Sequence, residues 1–112
     1  MSSSVILLTY TGRRSGRRHT IPVAYAEAEG DLVVFVGQAD TKVWWRNVRE
    51  AASVEVRLRG RTLDCLAETV PDDAKLVALY SGRYPSAAAA LTATPRTWVR
   101  IRPGPPMAAR NP

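Results

Sequence analysis

The segment Ser53 to Val70 constrains the fold more than any other part of the chain. Val54, Val56 and Leu58 alternate with Glu55, Arg57 and Arg59, and Arg59-Gly60-Arg61 then turns the chain back into Thr62 to Val70. A period of two puts apolar side chains on one face of a strand and charges on the other. Further segments read as partners for this pair. Val5 to Tyr10 is short and apolar. His19 to Glu27 alternates, with Ile21, Val23 and Tyr25 on one face, and Pro22 marks an edge or a bulge because it lacks a ladder donor. Glu29-Gly30-Asp31 is a turn signal before Leu32 to Val36, which predicts a hairpin over 20–36. Thr97 to Ile101 is the last strand.

Helical signals are few. Thr41 caps an expected helix from about Lys42 to Glu50, with Trp44, Val48 and Ala51 on its buried face. Pro71-Asp72-Asp73 opens a second helix with acids in its first turn, and Leu76, Leu79, Tyr80 and Arg83 share a face. The alanine-rich stretch Ser86 to Thr94 is expected to be a loose third. Six strands and two or three short helices make the chain mainly β, a small, mostly antiparallel barrel. Periodicity does not separate one small barrel from another. At 112 residues the chain is one domain, expected over 1–103, with a disordered tail over 104–112 that opens on Gly104-Pro105-Pro106.

Composition narrows the chemistry. The chain has one histidine, His19, and one cysteine, Cys65, so a histidine-based zinc site or a catalytic triad lacks material. A lone cysteine makes no internal disulfide, which fits a reducing cytoplasm, and Cys65 reads as a small core residue of its strand. Met1-Ser2-Ser3-Ser4 lacks the charged start of a signal peptide, and no run approaches a membrane span. The formal charge of +6 calls for an anionic partner. Residues 1–26 carry four arginines and no acid. They crowd into Arg13-Arg14-Ser15-Gly16-Arg17-Arg18. Arginine forks match phosphate and carboxylate oxygens, and glycines let backbone N–H groups approach an anion. A solvated hairpin tip is the competing reading, on even terms from composition alone.

The residues around this loop resemble the signature of the deazaflavin (F420)-dependent nitroreductase and quinone reductase family. The resemblance rests on Leu7-Leu8-Thr9-x-Thr11-Gly12-Arg13-Arg14-Ser15-Gly16 with Pro22 six residues on, and on Trp44-Trp45-Arg46-Asn47-Val48, where the family shows Trp-Tyr-x-Asn-Leu. It covers roughly residues 5–70. It implies a six-stranded split β-barrel related to FMN-binding, pyridoxamine-phosphate-oxidase-like proteins. It further implies a reductase that moves hydride from reduced coenzyme F420, with FMN as the alternative cofactor, to a small hydrophobic acceptor of quinone or nitroaromatic type. A homodimer is an expected partner arrangement.

Carried over by position, the implied cofactor-binding residues are Leu7, Leu8 and Thr9; Arg13, Arg14, Ser15, Gly16, Arg17 and Arg18; Val23, Ala24, Tyr25 and Ala26; and Val34, Phe35, Val36, Gly37 and Gln38. Val23, Val34 and Val36 would offer the flat ring an apolar surface. Trp44, Tyr80 and Tyr84 are the implied substrate contacts, while Trp44 at helical spacing also reads as core. No catalytic acid or base is assigned. His19 stands where the family commonly has Arg, Gly37-Gln38 replaces Ser-Lys, and Ala87 to Ala90 remove bulk where further tyrosines are expected. That loss is the ground for a second reading, a non-catalytic module holding a flavin or a fatty acid. Nucleic-acid binding lacks an aromatic stripe among the arginines. Asn47 reads as a backbone-bridging residue, and Trp98 as an edge or core aromatic.

Overall fold

The structure is a computed structural model, and it describes residues 5–37, 44–92 and 96–104. The strands are β1 (Val5–Thr11), β2 (Arg18–Ala24), β3 (Ala26–Ala28), β4 (Asp31–Val36), β5 (Ala52–Leu58), β6 (Arg61–Val70) and β7 (Thr97–Pro103). They form one antiparallel sheet in the order β2-β1-β5-β6-β7-β4-β3. Strands β2 and β3 are separated by one residue in sequence yet lie at opposite edges of the sheet. The sheet must therefore curl until its edges meet, and Tyr25 is where they meet. The result is a half-open barrel.

This topology corrects the six-strand expectation. The single segment His19 to Glu27 is two strands, because β2 pairs with β1 while β3 pairs with β4. The expected hairpin over 20–36 is correspondingly confined to β3 and β4. Tyr25 itself is buried in the barrel, and its carbonyl accepts a hydrogen bond from the Tyr84 hydroxyl. That bond satisfies a backbone acceptor where the chain leaves one ladder for the next. Pro22 sits on the edge strand β2, opposite Leu7.

Two tight turns hold the register. Glu29 and Gly30, and likewise Arg59 and Gly60, all take positive φ, between 52° and 90°. They join Ala28 to Asp31 and Leu58 to Arg61, the two-residue hairpin form whose twist matches that of the strands.

The core has two parts. Inside the barrel lie Ile6, Leu8, Tyr25, Leu32, Val34, Val36, Val48, Val54, Val56, Cys65, Ala67, Val99 and Ile101. Burial pushes the Cys65 thiol up to about 11, so it stays neutral and behaves as core. The second part lies across the sheet, where Val33, Phe35 and Trp98 meet Tyr80 and Leu91. Strand β4 feeds both, Leu32, Val34 and Val36 to one side and Val33 and Phe35 to the other, which explains its unbroken apolar run.

The helices differ from expectation in form. Trp44–Val48 is a 3-10 turn, and residues 41–43 lie outside the described residues. Val48 is fully buried, but Ala51 is exposed, because β5 begins at Ala52 and the chain has already left the turn. Helix α1 (Ala74–Arg83) is capped by Asp73, whose carboxylate accepts the Lys75 N–H at 2.8 Å. A 3-10 turn, Pro85–Ala87, leads into α2 (Ala88–Leu91). Asp72 is not a helix-start acid. It accepts from Arg96 Nε at 3.0 Å and from Trp98 Nε1 at 2.8 Å. These bonds hold its carboxyl below the usual range. Gly104 N–H donates to the Asp64 carbonyl at 2.9 Å, and residues 105–112 of the expected tail lie outside the described residues.

Candidate functional site

The basic loop is the tip of the β1–β2 hairpin, and its backbone is closed on itself. Gly12 N–H donates to the Arg17 carbonyl at 2.8 Å, Gly16 N–H to the Gly12 carbonyl at 2.9 Å, and Arg17 N–H to Ser15 Oγ at 3.1 Å. Two glycines permit this. Gly16 has φ +73°, and a Cβ at Gly12 would stand 2.9 Å from Ser15 Oγ.

The hairpin register places Tyr10 opposite His19, with the rings stacked at 5.3 Å. Trp44 stands 6.4 Å from Tyr10, between ring centroids. The Trp44–Val48 turn packs beside the loop through Asn47. Its Oδ1 accepts the Arg13 N–H at 2.9 Å, and its Nδ2 donates to the Trp44 carbonyl at 3.1 Å. Asn47 thus bridges two backbones, as its mid-turn polarity suggested.

Between loop and turn lies a cleft of about 410 Å³, lined by Tyr10, Gly12, Arg13, Arg14, Ser15, His19, Arg46 and Asn47. Three of these lining residues are arginines and none is an acid. A second hollow of about 390 Å³ shares Arg13, Arg46 and Asn47 with it and is lined further by Arg49 and Glu50. Arg46 and Arg49 lie over the Trp45 ring, at 5.6 and 5.0 Å from its centroid. Arg46 Nε is buried and, among the described residues, makes no hydrogen bond. Charge, donors and an aromatic end suit a phosphorylated ring compound.

The implied cofactor residues are spread more widely than this cleft. Arg13, Arg14 and Ser15 line it, and Gly16 and Arg17 shape its loop. Arg18 turns instead to Glu55, at 3.1 Å. Thr9 shares a hydrogen bond of 2.7 Å with Thr20. Leu7 faces outward and is exposed. The side chains of Leu8, Tyr25, Val34 and Val36 are packed inside the barrel, so the apolar ring surface expected of Val34 and Val36 is already occupied by core contacts. Val23 and Ala24 are half-buried, and Ala26 is buried. Phe35 packs on Trp98 at 5.2 Å and on Tyr80 at 5.8 Å, across the sheet. Gly37 is half-buried, and Gln38 lies outside the described residues.

The implied substrate residues are not brought together. Trp44 packs against the barrel core beside the cleft, whereas Tyr80 is buried in the second cluster and Tyr84 lies tilted against it, with ring centroids 4.8 Å apart. Burial raises the Tyr80 phenol, which stays protonated. Tyr10, His19 and Arg46 were not assigned to the site from sequence. The hairpin register around the loop was the signal for the first two, but Arg46 carried none.

Among the described residues no cluster of three His, Cys, Asp or Glu side chains can hold a metal, and no helix is long and apolar enough to cross a membrane. No curated protein matches the chain. Similar solved structures include one described as "F420-H2 Dependent Reductase (FDR-A)", 24% identical, with a TM-score of 0.72 over 88% of this chain and 92% of that one. Another, described as a domain-swapped dimer, is 20% identical, with a TM-score of 0.73 over 91% and 82%. A third, an FAD-binding protein from Mesorhizobium loti, is 16% identical, with a TM-score of 0.61 over 91% and 80%. At these identities the likeness shows a shared fold. The family model described as F420H(2)-dependent quinone reductase matches residues 1–103, nearly the whole chain, and the protein therefore belongs to that family of coenzyme F420-dependent oxidoreductases.

Proposed function

We propose that the phosphate-bearing part of coenzyme F420 seats in the cleft between the Gly12–Arg17 loop and the Trp44–Val48 turn, and that the acceptor is a small hydrophobic quinone or nitroaromatic. The observation that supports this most is the lining itself: Arg13, Arg14 and Arg46 face one hollow with no acid among them. Charge-assisted contacts from three guanidiniums would fix the coenzyme, and the stacked Tyr10 and His19 rings offer it an apolar wall. The bound coenzyme supplies the hydride. The protein's part is to hold it, orient it and exclude water, and no side-chain acid or base is required for that. Trp44, half-buried at the edge of the cleft, is the candidate wall for the acceptor. Tyr80 and Tyr84 act at a distance, by fixing the helices and the Tyr25 junction.

The test is parallel titration of the purified protein with coenzyme F420, FMN and a fatty acid, followed by oxidation of the reduced coenzyme with a quinone and a nitroaromatic. Tight binding of coenzyme F420 and acceptor-dependent oxidation are expected. Preferential binding of the fatty acid, with no oxidation by either acceptor, would overturn the proposal.

A further inference from the structure

His19 is the chain's one histidine, and the fold sets it on the wall of the cleft. The strand register places it opposite Tyr10, and the two rings stack at 5.3 Å. Its Nε2 stands 3.6 Å from where a Cβ would sit on Gly12, so the ring lies against the bare face of that glycine. The residue is exposed, and its ring exchanges protons with solvent. The groups around it come from three elements: Tyr10 from β1, Arg13 and Arg14 from the loop, and Arg46 from the 44–48 turn. None of the lining residues is an acid. Arg18, its neighbour in sequence, is turned to Glu55 at 3.1 Å, and Glu50 lines the second hollow, not this one. Guanidiniums keep their charge at every physiological pH. Histidine is the one side-chain type in this lining that ordinarily changes charge between about pH 5 and 8.

We infer that anion binding in this cleft is coupled to proton uptake by His19. An anion seated among these residues favours the imidazolium over the neutral ring, because an opposite charge a few ångströms away stabilises the charged form. Linkage then fixes the sign. The bound protein holds more protons than the free one, so affinity is highest in mild acid and falls as pH rises through the bound-state value. The arginines supply attraction that does not vary with pH, and His19 supplies the part that does. The inference rests on the proposed seat of the coenzyme, and it adds the regulation of that seat by pH.

The experiment follows the imidazole by NMR from about pH 5.5 to about pH 8.5, free and with saturating sulfate or coenzyme F420. A single histidine in an untagged chain makes its ring signals unambiguous. Sulfate keeps its charge over this range, so any pH dependence of its binding belongs to the protein. Both ligands should raise the midpoint of the ring titration, and each unit of rise corresponds to about tenfold in affinity between the two ends of the range. The wild type should bind sulfate about three- to tenfold more weakly at the alkaline end. His19→Gln should bind it with a flat, weak profile and His19→Arg with a flat, strong one. Thermal melts of both variants should stay within a few degrees of the wild type. A ring titration that neither ligand moves would overturn the inference, and so would a wild-type pH profile that survives in His19→Gln. If sulfate moves the titration but coenzyme F420 does not bind, the coenzyme reading falls and the proton coupling stands. If coenzyme F420 binds and leaves the titration where it was, the coupling falls and the coenzyme reading stands.

Discussion

The side-chain oxygen of Asn47 accepts the backbone N–H of Arg13 at 2.9 Å, across 34 positions of sequence. This bond joins the basic loop to the Trp44–Val48 turn and sets the width of the cleft between them. The Asn47 amide is committed on its other side to the Trp44 carbonyl. Asn47→Asp keeps an acceptor for Arg13 but loses the donor and adds a negative charge to an anion site. The expected outcome is at least tenfold weaker coenzyme binding, with a loss of about 1–2 kcal/mol in stability. Denaturant melts alongside coenzyme titration check both numbers.

Charge reversal in the loop should be severe. Each charge-assisted contact is worth roughly 1.5–3 kcal/mol, before any repulsion. Arg13→Glu with Arg14→Glu should therefore abolish measurable coenzyme binding while the fold persists, because both side chains are exposed. Arg18→Glu should matter far less, since Arg18 faces Glu55 at the surface. Equal losses from the two variants, measured by titration, would place the ligand elsewhere.

Turnover separates Trp44 from Tyr80. Trp44→Phe keeps most of the packing volume but alters the edge of the cleft, so kcat should fall more than coenzyme affinity. Tyr80→Phe lies across the sheet and should leave both unchanged per folded molecule. Trp98→Ala, in the same buried cluster, should cost about 3–5 kcal/mol of stability. Steady-state kinetics and thermal melts on the three variants distinguish these outcomes.

Acid stability should depend on Asp72. Arg96 and Trp98 hydrogen bonds lower its folded pKa beneath the ordinary 3.8. A depressed carboxyl contributes stability that is fully present above 3.8 and is lost as pH falls through the lower folded-state value. Asp72→Asn should therefore be less stable than the wild type at neutral pH, and the gap should close in strong acid. A gap that stays constant from pH 7 down to about pH 2 would show that the Asp72 charge does not carry it.

Association is expected through the outer face of β1, where Val5 and Leu7 are exposed side chains. Sedimentation should show a homodimer at micromolar concentration, and Leu7→Arg should shift it toward monomer. A wild-type monomer throughout that range would reject the expectation.

The mainly β class, the Arg59-Gly60 and Glu29-Gly30 turns, the edge placement of Pro22, the core role of Cys65 and the bridging role of Asn47 were legible from local sequence. Each depends on a period of two, a turn conformation or a missing donor, and these act over a few residues. The family signature was legible too, because its two motifs fall in order. What only the tertiary structure decided is which side chains share a space. Val34 and Val36 look like ring-binding surface until the sheet curls and fills the barrel with them. Tyr80 and Trp44 look like partners until β4 proves to separate two cores. Strand β2 ends at Ala24 because the chain crosses between sheet edges at Tyr25, and Tyr84, 59 residues on, completes that crossing. Arg46 had no sequence signal at all. Its place beside Arg13 and Arg14 in the lining of the cleft is a property of the assembled surface that no spacing rule contains.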